Sequence, residues 1–209
     1  MVHFVGAGPG APDLITLRGA ELLKQAEAAG RTTVRLHTGD PCVYGAIREQ
    51  MDALDELGIP YDDVPGVSSF CGAAAALRAE YTLPGVSQSV IITRLAGRTP
   101  VPEAESLAAM AGHGTSMVIF LSSGMLERVQ EELLKGAYTA ETPAALVYKA
   151  TWPEEKTVRC TVGTLAQAGE EHGISKTALV LVGNFLDSPY EKSKLYDAAF
   201  TTEYREGRK

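Results

Sequence analysis

The chain has 209 residues, of which 45% are hydrophobic and 22% charged, a composition typical of a globular protein with one large domain or two small ones. Its formal net charge of −7 argues against nonspecific nucleic-acid binding, and no apolar run reaches the roughly 18 residues of a membrane span. The start MVHFVGAG does not resemble a secretory signal peptide, which predicts a cytoplasmic protein. Its three widely spaced cysteines and four scattered histidines predict reduced thiols and no metal site.

The N-terminal stretch FVGAGPG predicts a buried strand that ends in a tight turn. Its three glycines allow positive φ and close approach of a ligand to the main chain. In open α/β sheets ligands bind beyond the carboxyl ends of the strands, so this turn marks a candidate binding edge. A dinucleotide fingerprint fits poorly, because Pro9 follows the second glycine and the third comes one residue early. A tight turn without any ligand stays open as the alternative.

Strand-like and helix-like segments alternate along the rest of the first half. The predicted elements are a helix at 14–29, a strand at 33–37, a helix at 46–57, a strand at 61–64 and a helix at 69–80. Gly58 is a natural residue to end the second of these helices. Strand character restarts at 87–93, so we place a domain boundary near 83–85 and assign residues 1–85 to an N-terminal lobe.

The second half repeats the alternation, and we assign residues 86–187 to a C-terminal lobe and 188–209 to a polar tail. Its predicted helices are 102–112, 125–135 and 165–172, and its predicted strands are 115–121, 144–149, 156–161 and 178–182. The tail aromatics Tyr190, Tyr196, Phe200 and Tyr204 are too scattered to define an element. The sequence therefore predicts an α/β protein with two consecutive α/β lobes.

Four motifs in order resemble the tetrapyrrole (corrin/porphyrin) methyltransferases: GAGPG at 6–10, RLHTGDP at 35–41, PGVSSF at 65–70 and ALVYKAT at 145–151. The stretches at 66–77, 80–94 and 97–103 are most similar to the corrin branch whose acceptor is precorrin-4, with or without cobalt, in cobalamin biosynthesis. The likeness covers nearly the whole chain, including the tail. The 80–103 stretch favours the cobalt-containing acceptor.

This resemblance implies S-adenosylmethionine as methyl donor in the cleft between the lobes, a reduced tetrapyrrole of the precorrin type as acceptor, and a homodimer. It also marks an unusual junction, because relatives carry a further strand, loop and helix between the counterparts of Ala26 and Glu27. Either that segment is deleted, or the protein contains residues there that the sequence omits. We favour the second alternative, because deletion of a central strand would disrupt the sheet and leave it only about three strands.

The resemblance also implies the residues that contact the cofactor. They are Pro9, Thr38, Gly39, Asp40, Val43, Ser68, Ser69, Leu121, Ala150, Ala178 and Leu179. Ser69 and Leu121 depart from residues common among relatives. Ordinary structural roles remain as alternatives: a turn at 39–41 with Asp40 capping the next helix, helix caps at Ser68 and Ser69, core packing for Val43 and Leu121, and a satisfied strand position for His37.

The acceptor carries many carboxylates, so its site should offer basic side chains. The leading candidates are Arg94, Arg98 and Lys149, with Arg48 and Arg78 as weaker ones. Solvated surface charge is the alternative for each of them, and no catalytic base can be assigned.

Two other classes of function remain possible at this stage. One is another enzyme of the same fold, such as a methyltransferase for uroporphyrinogen III, another precorrin or diphthamide. The other is a module that binds an adenosyl ligand without catalysis. An assay of methyl transfer separates all three.

Overall fold

A computed structural model describes residues 1–30, 32–192, 199–201, 203, 205 and 206. The chain divides into two compact units. The first contains residues 1–78 and 147–157, and the second contains residues 79–146 and 158–209. Tyr196 and Tyr204 of the tail lie outside the described residues. None of the described helices combines the length and apolar character that crossing a membrane would require.

The part of the first unit that the structure describes is a small parallel sheet with three α-helices. Its elements are β1 (Val2–Gly6), α1 (Leu17–Ala29), β2 (Thr33–His37), α2 (Ile47–Glu56), β3 (Tyr61–Val64) and α3 (Ser69–Leu77). The strand order is β2-β1-β3, and both pairs are parallel. Helix α1 begins where the Thr16 hydroxyl accepts a hydrogen bond from the Gly19 N–H, and it ends at Gly30 with φ 64°. Parallel pairing brings the carboxyl ends of all three strands to one edge.

In its described residues the second unit is a five-stranded sheet with three α-helices. Its elements are β4 (Val90–Arg94), α4 (Leu107–Ala111), β5 (Ser116–Phe120), α5 (Leu126–Leu134), β6 (Pro143–Tyr148), β7 (Lys156–Thr161), α6 (Leu165–Glu171) and β8 (Ala178–Val182). Residues 147–148 of β6 and 156–157 of β7 are counted with the first unit. The strand order is β4-β5-β8-β6-β7, with β5 parallel to β4 and antiparallel to β8. Strands β5 and β8 are buried at every position, so they form the centre of the core.

The predicted strands at 33–37, 61–64, 156–161 and 178–182 are confirmed at those bounds. The other predicted elements differ in at least one bound, as the helix expected from 14 does by beginning at Leu17, and three of these differences have a local reason. The strand expected from 87 begins at Val90, because the Ser87 hydroxyl bonds the Ser89 carbonyl and the Ser116 N–H. The helix expected at 102–112 is interrupted at Ser106, which caps α4. The helix expected at 69–80 ends early, at a residue with left-handed backbone, Arg78.

Candidate cofactor site

Three glycines bring the loops after β1, β2 and β3 into direct backbone contact. A Cβ on Gly66 would lie 2.2 Å from the Gly39 carbonyl oxygen, and a Cβ on Gly6 would lie 2.5 Å from the Gly66 Cα. Neither position has room for a side chain. The carboxyl edge of the sheet is therefore lined by closely packed main chain.

Hydrogen bonds fix the loop after β1 to the end of β2. The Gly39 N–H donates to the Gly8 carbonyl at 2.8 Å, and the Gly8 N–H donates back at 3.2 Å. The Ala7 N–H also donates to the His37 carbonyl at 2.8 Å. Gly39 holds φ 71°, in the left-handed region that favours glycine. Two of the motifs that carry the family resemblance thus form one continuous backbone surface.

The Asp40 carboxylate joins the loop after β2 to the loop after β3. Its two oxygens accept from the Cys42 and Gly66 backbone N–H groups, each at 2.8 Å. Capping of the next helix by Asp40 is wrong, because the residue at the N-terminal cap of α2 is Ala46. Burial alone would raise the pKa of Asp40, but hydrogen bonds from Cys42 and Gly66 outweigh it and lower the pKa. Asp40 is therefore an ionised cross-link at neutral pH.

The other predicted cofactor residues of the first unit surround these loops. Thr38 is exposed, Val43 is half-buried and Ala150 is buried. Ser68 is buried at the N-terminal cap position of α3, yet its side chain makes no capping bond there. Capping by the Ser68 hydroxyl is therefore wrong. The Pro9 carbonyl accepts a hydrogen bond from the Trp152 indole at 2.8 Å, a contact that sequence patterns did not reveal.

His37 and Asp63 place two buried polar atoms beside this edge. Within the described part of the chain, His37 Nε2 and Asp63 Oδ1 have no hydrogen-bond partner, so the expectation of a satisfied His37 is wrong for that nitrogen. Burial, reinforced by Arg35, lowers the pKa of His37. Burial, reinforced by the Asp40 charge, raises the pKa of Asp63. Sequence analysis missed Asp63 because an acidic residue in a short strand gave no distinctive pattern.

In the second unit, four predicted residues share one sheet edge. Arg94 ends β4, and Leu121 directly follows the neighbouring parallel strand β5. Continuing the antiparallel register of β5 and β8 sets Leu179 opposite Phe120 and Ala178 opposite Leu121. Core packing for Leu121 is wrong, because this residue is 69% exposed and has φ 53°. An exposed apolar side chain is therefore presented at this edge.

The basic candidates differ in what already binds them. The Arg94 guanidinium donates to the Thr99 and Pro100 carbonyls at 3.1 and 2.6 Å, so it holds its own loop. Arg98 lies exposed in that loop. Lys149 pairs with Glu154 at 3.4 Å and lies 5.1 Å from the Trp152 ring centroid.

Two further features bear on the chemistry. Among the described residues no group of three or more acidic, histidine or cysteine side chains could hold a metal ion. A cavity of about 560 Å³ in the second unit lies between α5 and α6 and is lined in part by Ser123, Glu127, Gln167 and Glu170. None of its lining residues is among the predicted site residues, so we do not assign the cofactor to it.

Comparison with known proteins defines the class. The sequence pattern of the Tetrapyrrole (Corrin/Porphyrin) Methylases matches residues 1–29 and 26–166. The chain belongs to this family. The two-part fold expected from the resemblance is that of solved tetrapyrrole methylases.

Particular relatives narrow the class. The chain is 42% identical to the cobalt-precorrin-4 C(11)-methyltransferase of Methanocaldococcus jannaschii, with 100% of this chain and 97% of the relative covered. It is 38% identical to the precorrin-4 C(11)-methyltransferase of a Sinorhizobium species, with 98% of each covered. The X-ray structure of a cobalt-precorrin-4 methyltransferase aligns with TM-score 0.85 and 40% identity, covering 90% of this chain and 96% of that one.

The same comparison locates an internal length difference. The alignment with the Methanocaldococcus protein spans 251 positions, whereas this chain has 209 residues, so at least 42 aligned positions have no residue here. The family pattern matches in two pieces that meet at residues 26–29. In this structure α1 runs without interruption from Leu17 to Ala29 across that junction.

Proposed function

We propose that this chain catalyses S-adenosylmethionine-dependent methylation of cobalt-precorrin-4 at C11. The observation that carries the proposal is the 42% identity, across the whole chain, to a protein of that name. Precorrin-4 itself is the nearest alternative acceptor, because relatives named for it are 38% identical over 98% of the chain. The cobalt form is preferred because the stretch at 80–103 favours it.

The residues at the carboxyl edge of the first sheet suit an adenosyl donor. The packed glycines bring the main chain of the three loops together, and Thr38 and the loop at Pro9 lie beside it. A related uroporphyrin-III C-methyltransferase from Thermus thermophilus, 22% identical, was solved in complex with S-adenyl homocysteine. We assign Pro9, Thr38, Gly39 and Asp40 to hold the donor. The remaining positions assigned to it are Val43, Ser68, Ser69, Leu121, Ala150, Ala178 and Leu179.

The donor supplies an activated methyl group on a cationic sulfur, so the chain need not supply a nucleophile of its own. The residues of this chain have to bind both molecules, orient them and keep water out. Rigid loops serve the first two tasks, because a misplaced reacting atom costs rate. The hydrogen bonds of Asp40 and Gly39 give these loops their rigidity.

We assign Arg98 and Lys149 to the carboxylates of the acceptor, with Arg94 in a supporting role. The Arg94 guanidinium already donates hydrogen bonds to the Thr99 and Pro100 carbonyls, and these bonds fix the loop that carries Arg98. Arginine suits this role because its planar fork matches a carboxylate. We include in the proposal a homodimer that acts in the cytoplasm, which sedimentation velocity and cell fractionation would test.

The test is an anaerobic incubation of the full chain with S-adenosylmethionine and precorrin-4, with and without inserted cobalt. Mass spectrometry follows S-adenosylhomocysteine and the corrinoid. We expect one methyl group to be added, faster on the cobalt form, at C11 by NMR. Transfer to the metal-free acceptor alone would change the acceptor assignment. Donor binding without transfer to either would contradict the function while leaving the cofactor site intact.

A further inference from the structure

Residues 149–155, which we call the arm, fasten the glycine loop from outside the N-terminal sequence. The Trp152 indole N–H donates to the Pro9 carbonyl at 2.8 Å, and the Ala11 N–H donates to the Thr151 hydroxyl at 3.0 Å. These bonds hold main-chain groups on both sides of Gly10. Arm and loop belong to the same unit although about 140 residues separate them in sequence.

The arm also fills the space beside the loop. A Cβ on Gly10 would lie 2.0 Å from Trp152 Cδ1, so the indole occupies the place of a side chain. A Cβ on Gly72 of α3 would lie 2.9 Å from Thr151 Cγ2 and 3.3 Å from Pro9 Cγ. Thr151 is thus packed where the loop approaches α3. The packing of the arm against the loop therefore requires glycine at positions 10 and 72, because a side chain at either would collide with Trp152 or Thr151.

The backbone of the arm holds an unfavourable conformation. Lys149 has φ 47° and Thr151 has φ 71°, a region that is rare for a β-branched residue. Such strain persists where neighbouring contacts over-determine it, and it is concentrated at ligand clamps. Here the backbone N–H of Trp152 donates to the Lys149 carbonyl, and the Glu155 carboxylate accepts from the backbone N–H of Thr151. The Lys149 ammonium lies over the indole ring, 5.1 Å from its centroid.

We propose that Thr151 and Trp152 are positioning residues that hold the loop at 9–11 in the shape that receives the adenosyl donor. The inference rests on the proposed function, because the loop is assigned there to the donor. It goes further by giving a role to two residues that act through Pro9 and Ala11. Loss of either bond frees the loop, so the donor must then order it on binding.

A matched pair at Thr151 tests the hydroxyl. Thr151→Val keeps the shape but removes the acceptor of the Ala11 N–H, whereas Thr151→Ser keeps the acceptor. Isothermal titration of the full chain with S-adenosylhomocysteine should give five- to tenfold weaker binding for the valine variant. The serine variant should stay within about twofold of the natural protein. Thermal unfolding of each variant shows whether the protein titrated is folded.

A second pair tests the indole. Trp152→Phe keeps a ring over Gly10 but removes the N–H, and should weaken binding by about fivefold. Gly10→Ala should weaken it further, because its methyl group meets the indole. Trp152→Ala added to Gly10→Ala should cost less than the sum of the single changes, because the clash is relieved. The KM for S-adenosylmethionine should rise in Trp152→Phe and in Gly10→Ala, with kcat changed much less.

The outcomes separate this inference from the function on which it rests. Tight binding of S-adenosylhomocysteine by the natural chain, with unchanged affinity in folded Thr151→Val and Trp152→Phe, would overturn the positioning role alone. Equal weakening by Thr151→Val and Thr151→Ser would do the same, because it would assign the effect to packing. A natural chain that neither binds the ligand nor transfers methyl would overturn both proposals.

Discussion

The sheet of the second unit is buried along whole strands, whereas the sheet of the first unit is exposed along one edge. Strands β5 and β8 are buried at all positions, but β2 has three exposed and two half-buried positions. Among the described residues of α1 only Gly19 is buried, and those of α2 include no buried residue. Most of the hydrophobic burial therefore lies in the second unit, although the first carries the packed loops of the candidate site.

The exposed edge coincides with the length difference from the relatives. The family pattern matches in two pieces that meet at 26–29, directly before β2, and the alignment with the Methanocaldococcus protein contains at least 42 positions without a residue in this chain. A strand with its crossover helix takes about 30 residues or more, so the missing length suffices for one such unit. Parallel strands are normally covered on both faces, and β2 is not. A further strand and helix before β2 would supply the cover that this strand lacks.

The largest difference in stability should appear when leucine is replaced by alanine in each of the two sheets. Leu181→Ala in β8 removes a side chain that is 0% exposed and should cost about 2–5 kcal/mol. Leu36→Ala in β2 removes one that is 46% exposed and should cost less than about 1 kcal/mol. Urea denaturation measures both by circular dichroism, and the fluorescence of the sole tryptophan, Trp152, reports the first unit. Equal costs would contradict the contrast in burial.

Restoring the missing segment should remove the contrast. Insertion of the corresponding residues of the Methanocaldococcus protein between Ala26 and Glu27 should stabilise the first unit by about 2–4 kcal/mol, since it gives Val34 and Leu36 a covering layer. The fluorescence-detected unfolding transition of the chimera should shift upward. A scrambled insert of equal length is the control. No difference between the two inserts would show that β2 needs no further partner.

The intact mass of the protein from its source decides whether the natural protein has an exposed β2 in its first unit. A mass well above 22.2 kDa would support the alternative that the protein carries residues between Ala26 and Glu27 that the sequence omits. A mass of 22.2 kDa would mean that the exposed edge belongs to the working protein. The continuous helix α1 would then be the natural connection to β2.

Local patterns predicted most of the fold because periodicity and glycine position are local signals. Strands β2, β3, β7 and β8 have the predicted bounds. The site was harder, because contacts between distant residues decide it. The Trp152–Pro9 bond spans 143 positions, and the Asp40–Gly66 bond spans 26. No spacing rule reveals either, although the resemblance had marked one residue of each pair, Pro9 and Asp40.

A change within the site of the first unit should have an intermediate effect. Asp40→Asn replaces an acceptor of two backbone N–H groups by a side chain that can satisfy one, which should cost about 1–3 kcal/mol at pH 7. Because folding lowers the pKa of Asp40, its contribution is present above the unfolded pKa and is lost as the pH falls through the folded one. The difference in free energy of unfolding between the natural protein and Asp40→Asn should therefore become smaller at acidic pH.

Urea denaturation between pH 7 and pH 3 measures that gap. Asp13→Asn, at an exposed carboxylate, is the control and should change stability by less than about 0.5 kcal/mol. A constant gap across this pH range would mean that the Asp40 charge is not what joins the loops.

The smallest effect should have the opposite sign and concerns Asp63 in β3. Folding raises the pKa of Asp63, chiefly by burial, so its contribution to stability is present below the unfolded pKa and is lost as the pH rises through the folded one. At pH 7 Asp63→Asn should therefore stabilise the protein, by about 1 kcal/mol, since it removes a buried carboxylate oxygen without a partner in the described chain. The adjacent Asp62→Asn should destabilise it, because Asp62 pairs with His3 and Arg18.

If both variants lost stability at pH 7, the burial of Asp63 would not be the source of its raised pKa. If the gain from Asp63→Asn grew between pH 4 and pH 7, the negative charge of the half-buried Asp63 would be shown to lower the stability of the first unit.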